Sequence, residues 1–202
     1  MSGVRVIEGY AIVSEDGMLA DAARHMPNSL KFSADQRFFE QGLDSADVVV
    51  HGRHSQEHFA RSPLRQRLIL TTRIRDVSPH AKNSRALYWN PVGASLDDAL
   101  AALEEPRDRI AIIGGTDAFG LFLDLFDVFH LTRAPGVWLP GGRPVFPEVP
   151  ARRPEEVLVE HGMQPGPVQV LDSAHGLTVT SWTRRPLSRA AVEGWGGGIG
   201  PT

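Results

Sequence analysis

The chain has 202 residues, of which 42% are hydrophobic and 22% charged, with a formal net charge of −3. This length suits one domain with a full core, and the composition is typical of a soluble globular protein. The weak negative charge predicts no general attraction to nucleic acid or to acidic membranes. The absence of cysteine excludes disulfides, thiolate zinc sites and thiol nucleophiles. We find no apolar run of about 18 residues and no signal-peptide pattern, so we expect a cytoplasmic protein.

The first half of the chain predicts strands that alternate with helices. A strand over residues 4–13 ends at a turn over residues 14–17, and an irregular loop follows over residues 20–32. Ser33 is expected to cap a helix whose apolar positions include Phe38, Phe39 and Leu43. The next expected elements are a strand at 46–51, a short helix after residues 52–55, and strands at 67–72 and 86–89.

The second half continues the alternation and then changes period. Ser95 is expected to cap a helix that reaches about residue 104, and Thr116 one that follows a buried strand at 111–113. A strand at 128–132 comes next. Period-two patterns predict strands at 157–160, 168–171 and 177–182, the last two forming a hairpin around His175 and Gly176. We therefore expect a three-layer α/β fold, with a mixed, mainly parallel sheet flanked by helices and a C-terminal antiparallel hairpin.

The domain boundaries follow from composition. Residues 1–185 are expected to form a single domain, and the glycine-rich residues 186–202 a flexible tail. The state of assembly is open at this point. A homodimer is one expectation, since the terminal strands could carry apolar surface across an interface.

The most informative stretch is the strand that ends in Gly114 and Gly115. Two glycines let the backbone approach a phosphate closely, and the N–H groups that begin the next helix favour its negative charge. The pattern differs from the Walker loop, because no GxxxxGK[ST] occurs in the chain. The sequence therefore predicts a nucleotide-cofactor site at this turn.

Three blocks in order resemble the dihydrofolate reductase superfamily, which includes the reductase domain of riboflavin biosynthesis. They are Gly52-Arg53-His54-Ser55, Leu70-Thr71-Thr72-Arg73, and a third and strongest block over residues 112–132, which contains Ile113-Gly114-Gly115 and Phe129-His130-Leu131-Thr132. Each motif is short and weakly specific alone, whereas their order is more specific. The resemblance covers about residues 4–183, and it implies a dihydrofolate reductase-like fold and a hydride-transferring reductase.

The resemblance also implies a cofactor site. Arg53, Thr72 and Arg73 would lie near an adenosine 2′-phosphate, and arginine forks suit a doubly charged phosphate, so we expect NADPH rather than NADH. Residues 18–20 would form a mobile loop over the nicotinamide. The complete set of expected cofactor-binding residues is Ala11, Met18, Leu19, Gly52, Arg53, His54, Ser55, Thr71, Thr72, Arg73, Ile113, Gly114, Gly115, Thr116, Asp117, Ala118 and Phe119.

On the substrate side, the resemblance implies that a buried Asp35 hydrogen bonds with a pterin and that Thr132 orients it. Asp35 would favour protonation of the substrate nitrogen before hydride reaches the adjacent carbon of the C=N bond. Phe39 would stack on the ring, and Arg65 would hold the glutamate tail of a folate. The expected reaction is thus the NADPH-dependent reduction of a pterin, with dihydrofolate as the first candidate.

Three departures from the folate enzymes leave the substrate open. Pro27 follows Met26 and precedes Asn28, where the folate enzymes usually have Pro-Trp, and Phe119 replaces a usual tyrosine. In addition, residues 15–20 resemble the start of riboflavin-type pyrimidine reductases. One alternative is therefore a pyrimidine reductase acting on a ribosylamino-uracil, with Arg65 or Lys31 holding a phosphate. Another is a nucleotide-binding homologue without turnover.

Simpler explanations exist for several of these residues. An acid such as Asp35 in a first helical turn is favoured by the helix dipole alone, and Thr132 suits a strand by its β-branched shape. A solvated loop position would explain Arg65. The segment from His54 to His58 matches the HxxEH pattern of inverted zinc peptidases. No third ligand is marked in the sequence, so we expect no metal site.

Overall fold

Eleven strands are present in the computed structural model, which describes residues 5–55, 57–104 and 106–184. Nine of them form the main sheet, and β2 and β9 form a separate pair. In chain order the strands are β1 (Val6–Val13), β2 (Met18–Ala20), β3 (Val48–Gly52), β4 (Gln66–Leu70), β5 (Val77–Pro79), β6 (Ala86–Trp89), β7 (Arg109–Ile112), β8 (Val128–Arg133), β9 (Arg143–Pro144), β10 (Met163–Asp172) and β11 (Leu177–Arg184).

The main sheet has the strand order β10-β11-β8-β1-β7-β3-β4-β6-β5. Strand β1 pairs in parallel with β7 and β8, β3 pairs in parallel with β7 and β4, and β4 does so with β6. Antiparallel pairing joins β5 to β6, β11 to β8, and β10 to β11. The predicted mixed, mainly parallel sheet with a C-terminal antiparallel hairpin is therefore confirmed.

Four helices cover the two faces of this sheet: α1 (Ser33–Asp44), α2 (Leu96–Ala101), α3 (Thr116–Phe122) and α4 (Pro154–Glu160). Leu43 of α1 packs with Tyr10, Val49 and Ala111 on one face. Apolar side chains of α2, α3 and α4 pack with Val48, Val50 and Ile112 on the other. Burial on both faces explains why β3 begins with three consecutive valines, Val48–Val50, rather than with alternating apolar and polar residues. The three-layer prediction is confirmed.

The strand predicted at residues 157–160 is wrong, because these residues lie in α4. Pro154 occupies the first helical position, with Glu155 and Glu156 in the first turn. Proline and acidic residues are both favoured there, by the fixed φ of proline and by the helix dipole. A period-two pattern of four residues was too short to outweigh these signals of a helix start.

Two predicted details of the helices are also wrong. The residue that precedes α1 as its N-cap is Phe32, with no side-chain hydrogen bond, so Ser33 is the first helical residue rather than a cap. In the described part of the segment that follows Ser55, the chain forms only a 3-10 turn over Ser62–Leu64, and no α-helix begins after β3. The Gly52-Arg53-His54-Ser55 motif therefore does not stand at a helix N-terminus.

Residues 18–20 form strand β2 rather than a loop, which corrects the prediction of a mobile loop. Met18 pairs with Pro144 and Ala20 with Arg143 of β9. The Met18 side chain is only 3% exposed and belongs to the main core. Strand β5 was not predicted either, since it has three residues at the edge of the sheet.

Two findings concern the remaining expectations. None of the helices in the described residues has the length and apolarity needed to cross a membrane. The glycine-rich tail predicted at residues 186–202 lies outside the described residues, so the domain boundary at 185 stays a prediction.

Gly42 in α1 makes room for Tyr10 of β1, and this contact can be tested. A Cβ added at Gly42 would lie 2.5 Å from Cε1 and 2.6 Å from Cζ of Tyr10. We expect Gly42→Ala to lower the free energy of unfolding by about 1–3 kcal/mol, because overpacking outweighs the better helix propensity of alanine. Urea unfolding measures the change, and a Tyr10→Val background should remove most of it. An equal cost in both backgrounds would contradict the explanation.

Candidate functional site

A cleft of about 810 Å³ opens at the edge of the sheet where β3 and β4 end and α3 begins. In open α/β sheets, ligands bind outside the carboxyl ends of the parallel strands, and this cleft has that position. Its lining residues are Asp21, Ala22, Arg24, Gly52, Arg53, His54, Ser55, Leu70, Thr71, Thr72, Pro91, Gly115, Asp117, Ala118, Leu121, Gly141, Gly142, Arg143 and Pro144.

Three glycines bring two backbone segments together at the bottom of the cleft. The Gly52 N–H donates to the Gly114 carbonyl at 2.7 Å. A Cβ added at Gly52 would lie 3.6 Å from the Gly115 nitrogen. Gly114 has a φ of +97°, and a Cβ there would meet the Phe119 ring at 3.0 Å. The peptide bond between Gly114 and Gly115 is cis. The positive φ and the nearby Phe119 ring explain why residue 114 is glycine. This agrees with the prediction that the turn depends on its glycines.

The first turn of α3 borders the cleft, but its cap differs from the prediction. Gly115 is the N-cap, and no side chain caps the helix. The Thr116 hydroxyl instead donates to the Pro144 carbonyl and accepts from Arg143 Nε at 3.2 Å. Thr116 thus links α3 to β9. The first N–H groups of an α-helix have no partner within it, and Asp117 and Ala118 in the first turn of α3 line the cleft.

The predicted cofactor residues fall into two groups. Those that line the cleft are Gly52, Arg53, His54, Ser55, Thr71, Thr72, Gly115, Asp117 and Ala118. The others are outside the lining: Ala11, Met18, Leu19, Arg73, Ile113, Gly114, Thr116 and Phe119. Phe119 is 1% exposed and packs edge-on against Phe129 in the core. Cofactor contact by any of these residues stays a prediction.

Charged residues that the sequence analysis did not single out also line the cleft: Asp21, Arg24 and Arg143. Arg24 has a φ of 67° and belongs to a turn in which its N–H donates to the Asp21 carbonyl at 2.9 Å. Arg143 follows Gly141 and Gly142, so the Gly-Gly-Arg sequence that leads into β9 was the available signal. Together with Arg53, these residues give the cleft three guanidinium groups, a set that suits phosphates.

Asp35 and Thr132 meet on the face of the sheet that α1 covers, and their roles toward a substrate stay predictions. Asp35 is 8% exposed in the first turn of α1, and Thr132 is 2% exposed near the end of β8. Burial raises the pKa of Asp35 to about 6, against a hydrogen bond with the Thr132 side chain that lowers it. A carboxyl with such a pKa exchanges its proton close to neutral pH, as a general acid requires.

The other two predicted substrate residues are differently placed. Phe39 is half-buried and packs against Tyr10 and Phe59, at ring distances of 6.0 and 5.7 Å. Arg65 is 7% exposed and forms ion pairs with Glu57 at 2.7 Å and Asp44 at 2.6 Å. Arg65 is therefore no solvated loop residue, and a substrate anion would have to compete with two carboxylates for it.

Glu57 is the centre of a buried ion-pair cluster at the amino end of β4. Its Oε1 accepts from Arg65 Nη1 and, at 2.6 Å, from Arg67 Nη2. Arg67 is 1% exposed and also donates to the Ser62 carbonyl and hydroxyl. Burial raises the pKa of Glu57, but hydrogen bonds and charges from Arg67 and Arg65 outweigh it and lower the pKa below its usual value. Glu57 is therefore an ionised carboxylate that holds Arg65 and Arg67 in place.

The same cluster argues against the zinc alternative. The HxxEH segment is not on an α-helix where it is described, and its Glu57 is engaged by two arginines. His51 is 1% exposed, and its Nδ1 hydrogen bonds with the Gly52 carbonyl at 2.8 Å. Burial lowers the pKa of His51 to about 4. Across the described residues, no three histidine or acidic side chains converge as a metal-binding group.

A second, smaller cavity of about 330 Å³ lies at the start of α1. Its lining includes Lys31, Ser33, His175 and Asp172. Lys31 Nζ donates to Asn28 Oδ1 at 3.0 Å, and His175 pairs with Asp172 at 2.8 Å. This cavity places one of the two predicted phosphate-binding residues beside the helix that carries Asp35.

Comparison with known proteins supports the fold. No protein-family model and no curated protein matches the sequence significantly. Among solved structures, a Shewanella sp. PV-4 protein assigned to riboflavin biosynthesis has a TM-score of 0.61 and 19% identity, over 90% of this chain and 99% of that chain. Dihydrofolate reductase from Enterococcus faecalis, complexed with NADP(H), has a TM-score of 0.61 and 16% identity, over 90% and 97% of the two chains.

A third similar structure is a diaminohydroxyphosphoribosylaminopyrimidine deaminase/5-amino-6-(5-phosphoribosylamino)uracil reductase from Thermotoga maritima. Its TM-score is 0.60 at 16% identity, and the match covers 90% of this chain but 57% of that one. At these identities the likeness establishes the fold alone. The predicted dihydrofolate reductase-like fold is thereby confirmed, and the activity has to be argued from the site.

The raised pKa of Asp35 makes a stability prediction. Because its pKa is about 6 in the folded protein and 3.8 in its ordinary state, the stability linked to its neutral form is present below pH 4 and is lost as the pH rises through 6. Asp35→Asn should therefore raise the free energy of unfolding at pH 8 by about 2–3 kcal/mol and leave it nearly unchanged at pH 4. Urea unfolding at both pH values tests this. A destabilised variant at pH 8 would contradict the buried, poorly solvated carboxyl.

The ion pairs of Arg65 predict that its loss acts on stability. Arg65→Ala should lower the free energy of unfolding by about 3–5 kcal/mol, because it leaves Glu57 buried with one partner fewer. Arg61→Ala is the matched control, since Arg61 also pairs with Asp44 but its side chain is 62% exposed; it should cost less than about 1 kcal/mol. If Arg65→Ala were as stable as the wild type and only raised KM, Arg65 would be a substrate residue.

Proposed function

We propose that this protein is an NADPH-dependent reductase that transfers hydride to a C=N bond of a pterin, with dihydrofolate as the first candidate substrate. The observation that carries the proposal is the buried Asp35–Thr132 pair. Neither residue lines the cleft, but Thr132 is near the carboxyl end of β8, and the cleft opens at the carboxyl ends of the parallel strands β3 and β4. A carboxyl with a pKa of about 6 and a cleft whose lining suits phosphates are two parts that such a reductase would use.

The cleft supports the cofactor half of the proposal. Its volume of about 810 Å³ is within the usual range of ligand pockets and suits part of a dinucleotide. Backbone at Gly52 and Gly115 would approach the phosphates closely, and the Arg53 guanidinium would favour the additional 2′-phosphate of NADPH. When bound, the cofactor would supply the hydride. The protein's own task is then orientation and the control of a proton.

The Asp35–Thr132 pair supports the substrate half. Strands β8, β1 and β7 are successive neighbours, so β8 and β7 are two strand spacings apart, about 10 Å across the sheet. Thr132 pairs with Ile12 of β1, whereas Ile112 at the end of β7 pairs with Gly9, so Thr132 lies three residues further along β1. A ring bound over the carboxyl end of β1 would lie between Thr132 and the glycine turn that follows β7. The Asp35 carboxyl would hydrogen bond to the ring and favour a proton on the nitrogen of the C=N bond, while Thr132 fixes the direction of the carboxyl. Hydride adds to the carbon and the proton to the nitrogen.

A second substrate, a ribosylamino-uracil, is favoured by two observations. Arg65, expected to hold the glutamate tail of a folate, is already paired with Glu57 and Asp44. Lys31, expected to hold a phosphate in the alternative, lines the cavity at the start of α1. Both proposed substrates contain a ring with hydrogen-bond donors and acceptors, to which the Asp35 carboxyl would hydrogen bond. The third candidate, a homologue that binds the nucleotide without turnover, would keep the cleft and lack both activities.

The test is NADPH oxidation by the purified protein, with dihydrofolate and the deaminated riboflavin precursor in parallel. We expect turnover of dihydrofolate, blocked by methotrexate. Asp35→Asn should lower kcat at least about 100-fold with little change in the Kd for NADPH, since a general acid contributes about 10²–10⁴-fold. Asp97→Asn, which changes an exposed side chain that pairs with Arg5, is the control.

Each outcome has a defined meaning. Turnover of the riboflavin precursor alone would replace the pterin by the pyrimidine. NADPH binding without turnover of either compound would favour the homologue without activity. Full activity of Asp35→Asn would contradict the role of the carboxyl, whichever substrate reacts.

A further inference from the structure

The Arg143 side chain lies close to the Gly115 backbone at the wall of the cleft. A Cβ added at Gly115 would be 3.4 Å from Arg143 Nε and 3.4 Å from Ser55 Oγ. The Arg143 side chain is 30% exposed and lines the cleft together with both of these residues. A ligand phosphate held against Gly115 would therefore come within reach of this guanidinium.

In the structure, the Arg143 guanidinium hydrogen bonds with two side chains from the first turn of α3. Its Nη2 donates to Asp117 Oδ2 at 3.0 Å, and its Nε donates to the Thr116 hydroxyl at 3.2 Å. The Asp117 side chain is 93% exposed. Ion pairs with such an exposed partner are weak, because water solvates the carboxylate and the side chain loses freedom on pairing. Asp117 can therefore release Arg143 at little cost when a stronger anion arrives.

We infer that Arg143 is a phosphate-binding residue of the cleft and that Asp117 is its internal counter-ion, which the phosphate of a bound nucleotide replaces. The inference rests on the proposed nucleotide cofactor and names a specific exchange at that site. A phosphate can accept two parallel hydrogen bonds from a guanidinium fork, whereas Asp117 accepts one from Arg143 Nη2 at 3.0 Å. When Asp117 leaves Arg143, the repulsion between its carboxylate and the bound phosphate is also relieved.

Strand pairing connects this exchange to the neighbouring loop. Arg143 pairs with Ala20 of β2, and a Cβ added at the preceding Gly142 would lie 2.3 Å from the Ala20 carbonyl oxygen. The next residues, Asp21, Ala22 and Arg24, line the same cleft. A phosphate on Arg143 is thus bound by the same small two-stranded sheet from which the Arg24 loop continues, and both guanidinium groups face one ligand volume.

The experiment is a double-mutant cycle on NADPH affinity, measured by isothermal titration with the full chain. Arg143→Ala should weaken binding about 10- to 100-fold, as expected for a charge-assisted phosphate contact. Asp117→Asn should tighten binding about two- to fivefold, because the counter-ion no longer competes. In the Arg143→Ala background, Asp117→Asn should have no more effect than the exposed Asp97→Asn has in the wild type.

Arg143→Lys keeps the charge without the fork and should recover part of the affinity, which distinguishes phosphate binding from a loss of folding. Equal effects of Asp117→Asn with and without Arg143 would overturn the exchange and leave a simple charge repulsion. Unchanged affinity in Arg143→Ala would overturn the phosphate contact while the proposed cofactor stands. A wild type that does not bind NADPH would overturn the proposed cofactor and this inference together.

Discussion

The close approach of β3 to the glycine turn after β7 is the constraint on which the rest of the structure depends. Ile113 N–H donates to the Val50 carbonyl at 3.0 Å, and Gly52 N–H donates to Gly114, so strand pairing continues past the ends of both strands. Gly114 has a positive φ, which a side chain would oppose. This turn sets where α3 begins, and with it the position of Phe119 in the core and the floor of the cleft.

Two buried carboxyl groups lie on the α1 face of the sheet, and their surroundings shift their pKa values in opposite directions. Glu57 is surrounded by Arg65 and Arg67, so its charge is compensated and its pKa is lowered. Asp35 hydrogen bonds with the neutral Thr132 hydroxyl, and its pKa is raised. A compensated carboxylate keeps its charge and holds a segment in place. A carboxyl whose pKa burial raises to about 6 can gain and lose a proton near physiological pH, as the proposed reaction requires.

Much of the fold could be predicted from the sequence because buried parallel strands and glycine turns leave local signals. The apolar run of β3 and the Gly114-Gly115 pair are such signals, and so is the order of the motifs. Residues 157–160 were misread because four residues fit both periods, and Pro154 carried the decisive information upstream. The pairing of Arg65 with Glu57 and Asp44 had no local signal. It depends on contacts between segments 8 and 21 residues apart in sequence.

The arrangement of charge in the cleft has a consequence for selectivity. Arg24, Arg53 and Arg143 attract any anion, whereas Asp21 and Asp117 line the same volume and oppose it. A free phosphate ion that binds Arg143 would have to displace Asp117, and the new contact with this guanidinium would be its main favourable interaction. A dinucleotide, the proposed cofactor, would add backbone contacts at Gly52 and Gly115 and the apolar surface of Leu70 and Leu121, which also line the cleft. Because selectivity is a difference between affinities, we expect the competing carboxylates to weaken the binding of small anions more than that of a dinucleotide.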